Sequence, residues 1–189
     1  MISAEKSLLK FSEVFATAPD NAIMANAPGR LCLMGEHIDY NGGMVLPAAI
    51  SLGITGLFQP NASGILRVYS RLNDELVELN VRQAQFSRQH SWVNYVAGVV
   101  HLLQQRDAQI TGGNLFFDSD LPIGAGLSSS AAIEVLTAFL FFQAYDIPGN
   151  KKDLAMLSRQ VENDFVGVQC GIMDQFAVAL GKKDHAMLL

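Results

Sequence analysis

Apolar and polar positions in residues 23–81 alternate and cluster in a way that predicts a run of β-strands after one short helix. The helix is expected at residues 3–17, where apolar residues recur near helical spacing before the turn residues at 18–21. The predicted strands cover residues 23–34, with a break at Pro28-Gly29, and residues 44–58, 65–69 and 76–81.

Helical periodicity dominates the second half of the chain. Helices are predicted at residues 92–105, 128–145, 153–164 and 172–180, and a short strand at residues 114–119. The helix at 128–145 is apolar on nearly every side, so we expect it to be buried. Residues 185–189 are interpreted as the beginning of a further strand. Strands followed by mixed strands and helices are typical of an α+β fold.

Composition and charge exclude several classes of protein. The 189 residues carry 13 Lys and Arg against 18 Asp and Glu, and the net charge of −5 argues against binding to duplex nucleic acid. With 50% hydrophobic and 16% charged residues, the chain can bury a core and is not disordered. The two cysteines suit a reducing compartment. Neither a signal peptide nor a membrane span of about 20 apolar residues is recognisable, so a cytoplasmic protein without a membrane partner is expected.

The most informative segment is LPIGAGLSSSAA at residues 121–132, which joins a predicted strand to the buried helix. Gly124 and Gly126 permit positive φ angles and close approach of a ligand to the backbone. Three serines follow at the helix N-terminus, where unpaired N–H groups and the helix dipole attract anions. A phosphate site is the functional interpretation, and a serine-capped helix after a glycine turn is the alternative. A serine hydroxyl at this point could also bind Mg²⁺.

A second segment, residues 27–43, places four ionisable side chains between apolar strands, namely Arg30, Glu36, His37 and Asp39. Buried ionisable groups need partners. A polyhydroxylated ligand supplies them, because each carboxylate can accept hydrogen bonds from two sugar hydroxyls. The alternative is a polar loop closed by an Asn-Gly-Gly turn. A metal site formed by Glu36, His37 and Asp39 is a further alternative, although their spacing fits none of the common zinc patterns.

Two acidic residues in the last predicted helices form a third feature. Asp174 lies among apolar residues, where an ionisable group is either paired or functional. The alternative for Asp174 is a carboxylate favoured by the dipole at a helix N-terminus. For Glu162 the alternative is a solvated helix face.

Together the three segments indicate phosphoryl transfer from a nucleotide to a hydroxyl compound, and here the sequence resembles the GHMP small-molecule kinases. The segment PGRLCLMGEHIDYNGG at 28–43 resembles the signature of family members that phosphorylate galactose, and residues 124–131 resemble the family's ATP-binding motif. CGIMDQ at 170–175 and LGKK at 180–183 resemble further blocks of the same members. The resemblance runs from about residue 25 to residue 189.

The resemblance implies a role for each motif in making galactose 1-phosphate, the first step of galactose catabolism. Asp174 would act on the anomeric hydroxyl as a general base or an orienting carboxylate, and Arg30 would stabilise charge on the transferring phosphoryl group. The sugar would be held by Glu36, His37, Asp39 and Gly171. The ATP phosphates would be bound by Gly124, Ala125, Gly126, Leu127, Ser128, Ser129 and Ser130. Mg²⁺ would be bound by Ser130 and Glu162.

The resemblance also implies the family's two-lobed α+β fold, with the active site between the lobes and a ribosomal-protein-S5-like N-terminal lobe. Residues 1–189 are interpreted as that N-terminal domain, with the galactose signature at about 25–50, the ATP motif at about 121–132 and the C-terminal lobe largely missing. The family's third glycine-rich motif and a sugar-contacting tyrosine belong to the missing part.

Two departures from the family pattern lie beside the sugar cluster. Ile38 stands where the family usually has Thr, and Leu31-Cys32 where it usually has Val-Asn. A kinase for N-acetylgalactosamine or another sugar is therefore an alternative, as is a non-catalytic sensor of galactose and ATP. A monomer is expected, unless the half chain exposes residues 186–189 as an unpaired edge strand.

Overall fold

In the computed structural model, which describes residues 3–122 and 124–189, a five-stranded sheet carries helices on both faces. The strands are β1 (Ile23–Met34), β2 (Leu46–Pro60), β3 (Ile65–Ser70), β4 (Glu75–Asn80) and β5 (Gly113–Ser119). The helices are α1 (Ala4–Phe15), α2 (Val93–Gln104), α3 (Ser129–Ala144), α4 (Lys151–Gln160), which continues into the π-helical segment Val161–Val166, and α5 (Met173–Leu180). This mixed architecture confirms the predicted α+β class. Ile123, inside the predicted ATP motif, lies outside the described residues, as do Met1 and Ile2.

The sheet has the strand order β1-β2-β5-β3-β4, in which β3 and β5 are parallel and the other neighbours are antiparallel. Successive side chains of β5 point to opposite faces. Leu115 and Phe117 join the large core beneath α2 and α3, whereas Phe116 joins a small cluster with Phe11 and Phe15 of α1. Because helices cover both faces at this point, the middle of β5, residues 115–117, is apolar without interruption.

Helix α3 lies across the sheet and contacts β1, β2, α2, α4 and α5. Its side chains are buried around most of its circumference, as shown by Ala131, Ala132, Leu136, Leu140 and Phe141 at 0–2% exposure. The prediction of a buried helix is therefore confirmed. Its N-terminus, which carries the three serines, faces the place where β1 passes residues 124–128, which we call the Gly–Ser loop. Among the described residues no helix is long and apolar enough to cross a membrane.

The break predicted at Pro28-Gly29 is wrong, because β1 runs through both residues. Its register against β2 shifts between Pro28 and Arg30, which is the mark of a β-bulge. Proline is tolerated there because β1 is the outermost strand in the sheet order. A Cβ on Gly29 would lie 2.6 Å from the Leu121 side chain and 3.0 Å from the Leu127 carbonyl oxygen, so the strand passes close beneath the Gly–Ser loop.

The last residues pair with the start of β2 instead of presenting both edges to solvent. Ala186 forms a bridge with Ala48, and the N–H of Met187 donates to the Pro47 carbonyl over 2.8 Å. Val45 and Leu189 exchange two backbone hydrogen bonds of 3.0 Å. Residues 186–189, considered above as an unpaired edge strand, are thus hydrogen-bonded along one side. Only Ala186 among them forms a β-bridge.

Candidate active site

Arg30 is the basic side chain at the centre of the candidate site. It lies just past the bulge of β1 and is 7% exposed. Its Nε donates to Asp174 Oδ1 over 2.6 Å, and its Nη1 donates to the carbonyl oxygen of Gly126 over 2.7 Å. A buried guanidinium requires such partners because an unpaired buried charge is strongly destabilising. One side chain therefore connects the sheet, α5 and the Gly–Ser loop.

Both oxygens of the Asp174 carboxylate are engaged. Oδ1 accepts from Arg30, and Oδ2 accepts from the hydroxyl of Ser128 over 2.5 Å. Asp174 lies in the first turn of α5, where the dipole favours a negative charge, and 29% of its side chain is exposed. The two interpretations of Asp174, a helix N-terminal carboxylate and a paired group, therefore both hold. A carboxylate with a fixed orientation and an accessible side can accept a proton from a bound hydroxyl or orient that hydroxyl.

The Gly–Ser loop before α3 has a left-handed backbone at three positions. Gly124 and Gly126 have φ angles of 69° and 66°, and Ser128 has a φ of 59°. A Cβ added to either glycine would meet none of the described atoms within 4 Å, so the positive φ, and not crowding, requires glycine. Ser129 and Ser130 are the first residues of α3. The hydroxyl of Ser128 contacts Asp174, and its role at the ATP phosphates stays a prediction.

Two of the predicted sugar-binding residues, Asp39 and Gly171, lie beside the N-terminus of α5. Asp39 begins a short 3₁₀ turn, and its Oδ2 accepts from the N–H of Met173 over 3.3 Å. A Cβ on Gly171 would overlap the carboxylate of Asp39, so this glycine is required by close approach of the two segments. The fold thus brings Asp39 next to the chain neighbour of Asp174, although 135 residues separate Asp39 from Asp174 in sequence.

The other two predicted sugar-binding residues, Glu36 and His37, are exposed in the turn that follows β1. Gly35 and His37 have positive φ angles of 92° and 64° in this turn. The His37 ring centroid lies 6.3 Å from that of Tyr40. Neither side chain is buried, and their roles in sugar binding stay predictions.

Glu162 is buried, with 7% exposure, so the solvated helix face considered for it is wrong. It lies in the π-helical segment, where the N–H of Gly167 bonds to the Glu162 carbonyl five residues earlier over 2.8 Å. Its Oε2 accepts from Gln175 Nε2 over 2.9 Å. Because Gln175 follows Asp174 in α5, the two acidic residues are linked through one helix.

Glu134 is a fully buried acid on α3 that the motifs did not assign to the site. It is 0% exposed, and neither carboxylate oxygen has a hydrogen-bond partner among residues 3–122 and 124–189. Burial raises the pKa of Glu134 well above its ordinary value, and the negative charges of Glu162 and Asp174 raise it further. The sequence signal was present, because Glu134 interrupts an otherwise apolar helix.

A cavity of about 310 Å³ opens beside the Gly–Ser loop. Gly124, Ser129 and Ser130 line one side, while Trp92 and Tyr95, at the start of α2, line the other. This volume is in the range of about 300–1,000 Å³ that small-molecule sites occupy. The helix predicted over residues 92–105 contains both aromatic residues, but periodicity does not show which side chains face a cavity. A lone tryptophan at a helix start was the available signal.

We compared the chain with known protein families and solved structures. Residues 94–182 match the family model "GHMP kinases N terminal domain", and residues 9–60 match the "Galactokinase galactose-binding signature". Mevalonate kinase of Methanococcus jannaschii has the same fold, with a TM-score of 0.71 at 20% identity over 88% of this chain and 55% of that one. The chain therefore resembles the N-terminal half of GHMP kinases, as its motifs indicated.

Within that family the close relatives are galactokinases. The enzyme of Staphylococcus carnosus is 43% identical over 192 residues, covering 100% of this chain and 48% of the relative. That of Streptococcus thermophilus is 40% identical over 183 residues, covering 95% and 47%. The crystal structure of Lactococcus lactis galactokinase complexed with galactose matches with a TM-score of 0.92 at 33% identity, covering 98% and 48%. The chain spans about half the length of these relatives and matches their N-terminal part.

Proposed function

We propose that this chain carries the reacting side chains of a kinase that transfers the γ-phosphoryl group of ATP to the anomeric hydroxyl of galactose. The observation that carries the proposal is the position of Asp174. Arg30 and Ser128 fix its carboxylate between the Gly–Ser loop and Asp39. The segment proposed to bind phosphate and the segment proposed to bind the sugar thus meet at one oriented carboxylate.

In the proposed reaction the sugar oxygen forms a bond to the γ-phosphorus while the bond to the β,γ-bridging oxygen breaks and ADP leaves. Asp174 takes the hydroxyl proton or orients the hydroxyl for attack. Arg30 lies between Asp174 and the Gly126 carbonyl, so its positive charge is next to the place where phosphoryl charge develops. Products are galactose 1-phosphate and ADP.

The cavity beside the Gly–Ser loop is proposed to hold the nucleotide base. Trp92 and Tyr95 offer aromatic surface for it, and the serines at the start of α3 lie at the side where the phosphates would run. The proposal that these residues bind ATP is supported by this placement of an aromatic wall opposite the serines.

Mg²⁺ fits the residues predicted for it. Ser130 and Glu162 supply the oxygen ligands that Mg²⁺ prefers, and few protein ligands suffice because the ion keeps several waters. Unpartnered buried oxygens of Glu134 and Gln175, together with the negative charge of Glu162, make this region favourable for a cation. When bound, the ion would offset the negative charge of the phosphate groups. Among the described residues no three His, Cys, Asp or Glu side chains cluster as metal ligands.

A kinase for a different sugar is the second candidate, favoured by the departures at Ile38, Leu31 and Cys32. Leu31 is exposed, and a Cβ on Gly43 would lie 2.9 Å from the Ile38 side chain, so Ile38 packs against the turn that ends the signature. An assay in which galactose and N-acetylgalactosamine compete as phosphoryl acceptors distinguishes a galactose kinase from a kinase for the other sugar. A location in the cytoplasm and a monomeric state stay predictions.

The test of the proposed function is phosphorylation of galactose by this chain in the presence of ATP and Mg²⁺. Formation of galactose 1-phosphate and ADP in equal amounts is the expected result. ATP and galactose binding without turnover would indicate that the reaction needs parts of the relatives beyond the matched half. Absence of binding of both ligands would contradict the proposal.

Replacing Gly171 by alanine should weaken sugar binding and leave ATP binding unchanged. The added Cβ overlaps the Asp39 carboxylate, which must then leave the Met173 N–H. A hydrogen bond to a charged group contributes about 1.5–3 kcal/mol, so displacing the Asp39 carboxylate from the sugar should raise the dissociation constant for galactose by about tenfold or more. Gly64→Ala, which strains a positive φ of 75° in the turn between β2 and β3, is a control for lost stability alone, and calorimetric titration with each ligand measures the effect. An unchanged galactose affinity would remove Asp39 from the sugar site.

A further inference from the structure

Glu75, the first residue of β4, binds two ring N–H groups through its two oxygens. The indole Nε1 of Trp92 donates to Oε2 over 2.5 Å. The imidazole Nδ1 of His90 lies 2.6 Å from Oε1. The hydrogen bond from Trp92 lowers the pKa of Glu75, and His90 lowers it further, whereas its partial burial raises it. Glu75 is thus an anion at neutral pH with both acceptor atoms in use.

The contact with Glu75 holds the side chain of Trp92, which makes no hydrogen bond to the helix that follows it. Trp92 immediately precedes α2 and makes no side-chain cap hydrogen bond there. Its ring nevertheless lines the cavity beside the Gly–Ser loop. The turn before Glu75 lines the same cavity through Ser70, Leu72 and Asn73. Glu75 therefore ties the β3–β4 turn to the start of α2 across one wall of the cavity.

We propose that Glu75 is a positioning residue for nucleotide binding, because it holds the Trp92 indole in the wall of the base pocket. The inference rests on the proposed function, which assigns the cavity to the base of ATP. A carboxylate accepting two N–H groups gives short, charge-assisted hydrogen bonds. An indole held in place before binding does not have to be ordered by the ligand, and such preorganisation increases affinity.

The experiment compares Glu75→Ala and Glu75→Gln with Glu78→Ala. Glu78 lies on the same strand, is exposed and forms an ion pair of 3.6 Å with Arg67, so it is a matched control away from Trp92. Calorimetric titration gives the affinity for ATP and for inorganic tripolyphosphate, which reaches the Gly–Ser loop but has no base. Because the chain has one tryptophan, acrylamide quenching of its fluorescence reports on Trp92 alone.

The expected result for Glu75→Ala is a dissociation constant for ATP raised by about tenfold, with tripolyphosphate affinity unchanged and the indole more accessible to acrylamide. Glu75→Gln, which keeps one acceptor oxygen, should lie between Glu75→Ala and the wild type. Glu78→Ala should resemble the wild type in all three measurements.

Equal ATP affinity and equal quenching in the Glu75→Ala and Glu78→Ala variants would overturn the inference. So would a parallel loss of ATP and tripolyphosphate affinity, because the effect would then be on the loop. A wild-type chain that does not bind ATP would instead refute the proposed nucleotide site, and the quenching comparison would still show whether Glu75 fixes the indole.

Discussion

Replacing Asp174 by asparagine should lower galactose phosphorylation by about 10²- to 10⁴-fold, the range that a positioned acid–base group contributes. Asparagine has the size of aspartate and can still accept from Arg30, but it cannot take up a proton. ATP affinity should change little, because Asp174 contacts Arg30 and Ser128 and does not line the cavity with Trp92. Initial rates and ATP titration of the variant measure the two quantities.

Asp174→Ala should in addition lower the stability of the fold. It leaves the buried guanidinium of Arg30 without its carboxylate, and breaking a buried pair costs about 3–5 kcal/mol. Asp164→Asn, at an exposed acid in the π-helical segment, is the control for loss of a charge. Asp174→Asn that phosphorylates galactose at the wild-type rate would exclude Asp174 as the reacting carboxylate. If the wild-type chain shows no turnover, the loss of stability still tests the ion pair.

Replacing Glu134 by glutamine should make the protein more stable by an amount that grows with pH. The folded state raises the pKa of Glu134 above its unfolded value through burial and through the charges of Glu162 and Asp174. Because the folded state binds this proton more tightly, the wild type loses stability as the pH rises from the unfolded-state pKa of Glu134 towards its higher folded-state pKa. The gap between variant and wild type should widen by about 1.4 kcal/mol per pH unit in that window.

Urea unfolding between pH 5 and pH 8, with a chelator present, measures the gap for Glu134. Tyr95 and Cys170 also have raised pKa values in this region, chiefly through burial. Because the wild type and the Glu134→Gln variant both retain these residues, their titration does not contribute to the difference in stability. Glu78→Gln, at an exposed acid on β4, should follow the wild-type profile. A gap that is constant over this range would show that Glu134 titrates normally in the folded protein.

Periodicity predicted most of the fold because each element buries one face or both. The helix over 128–145 and the strand over 114–119 are within one residue of α3 and β5 at each end. The continuity of β1 through Pro28 could not be predicted, because it depends on the position of β1 at the edge of the sheet. The early end of α4 at Gln160 depends on packing against α2 and α5, which local sequence does not encode.

In the candidate site, the residues that lie in local motifs could be predicted from the sequence. Those that come together only in the folded chain were found from the structure. Motif resemblance predicted Arg30 and Asp174, and the structure pairs them at 2.6 Å. Glu134 and Trp92 belong to no motif, because one acts through burial and the other through a cavity shared with a distant turn. Ser128 has a left-handed backbone and its hydroxyl contacts Asp174, 46 residues away in sequence, which composition cannot reveal.

The π-helical segment Val161–Val166 makes the site depend on chain length as well as on side-chain identity. A π-helical turn holds one residue more than an α-helical turn. Deleting one residue after Glu162 would let the regular α-helix continue and would rotate the following chain by about 100° relative to α4. Glu162 and Gln175 would both remain in the sequence, yet their 2.9 Å contact would be lost. A sequence comparison that counts only matching residues would miss such a change, so insertions and deletions in this segment identify relatives that lack the Glu162–Gln175 contact.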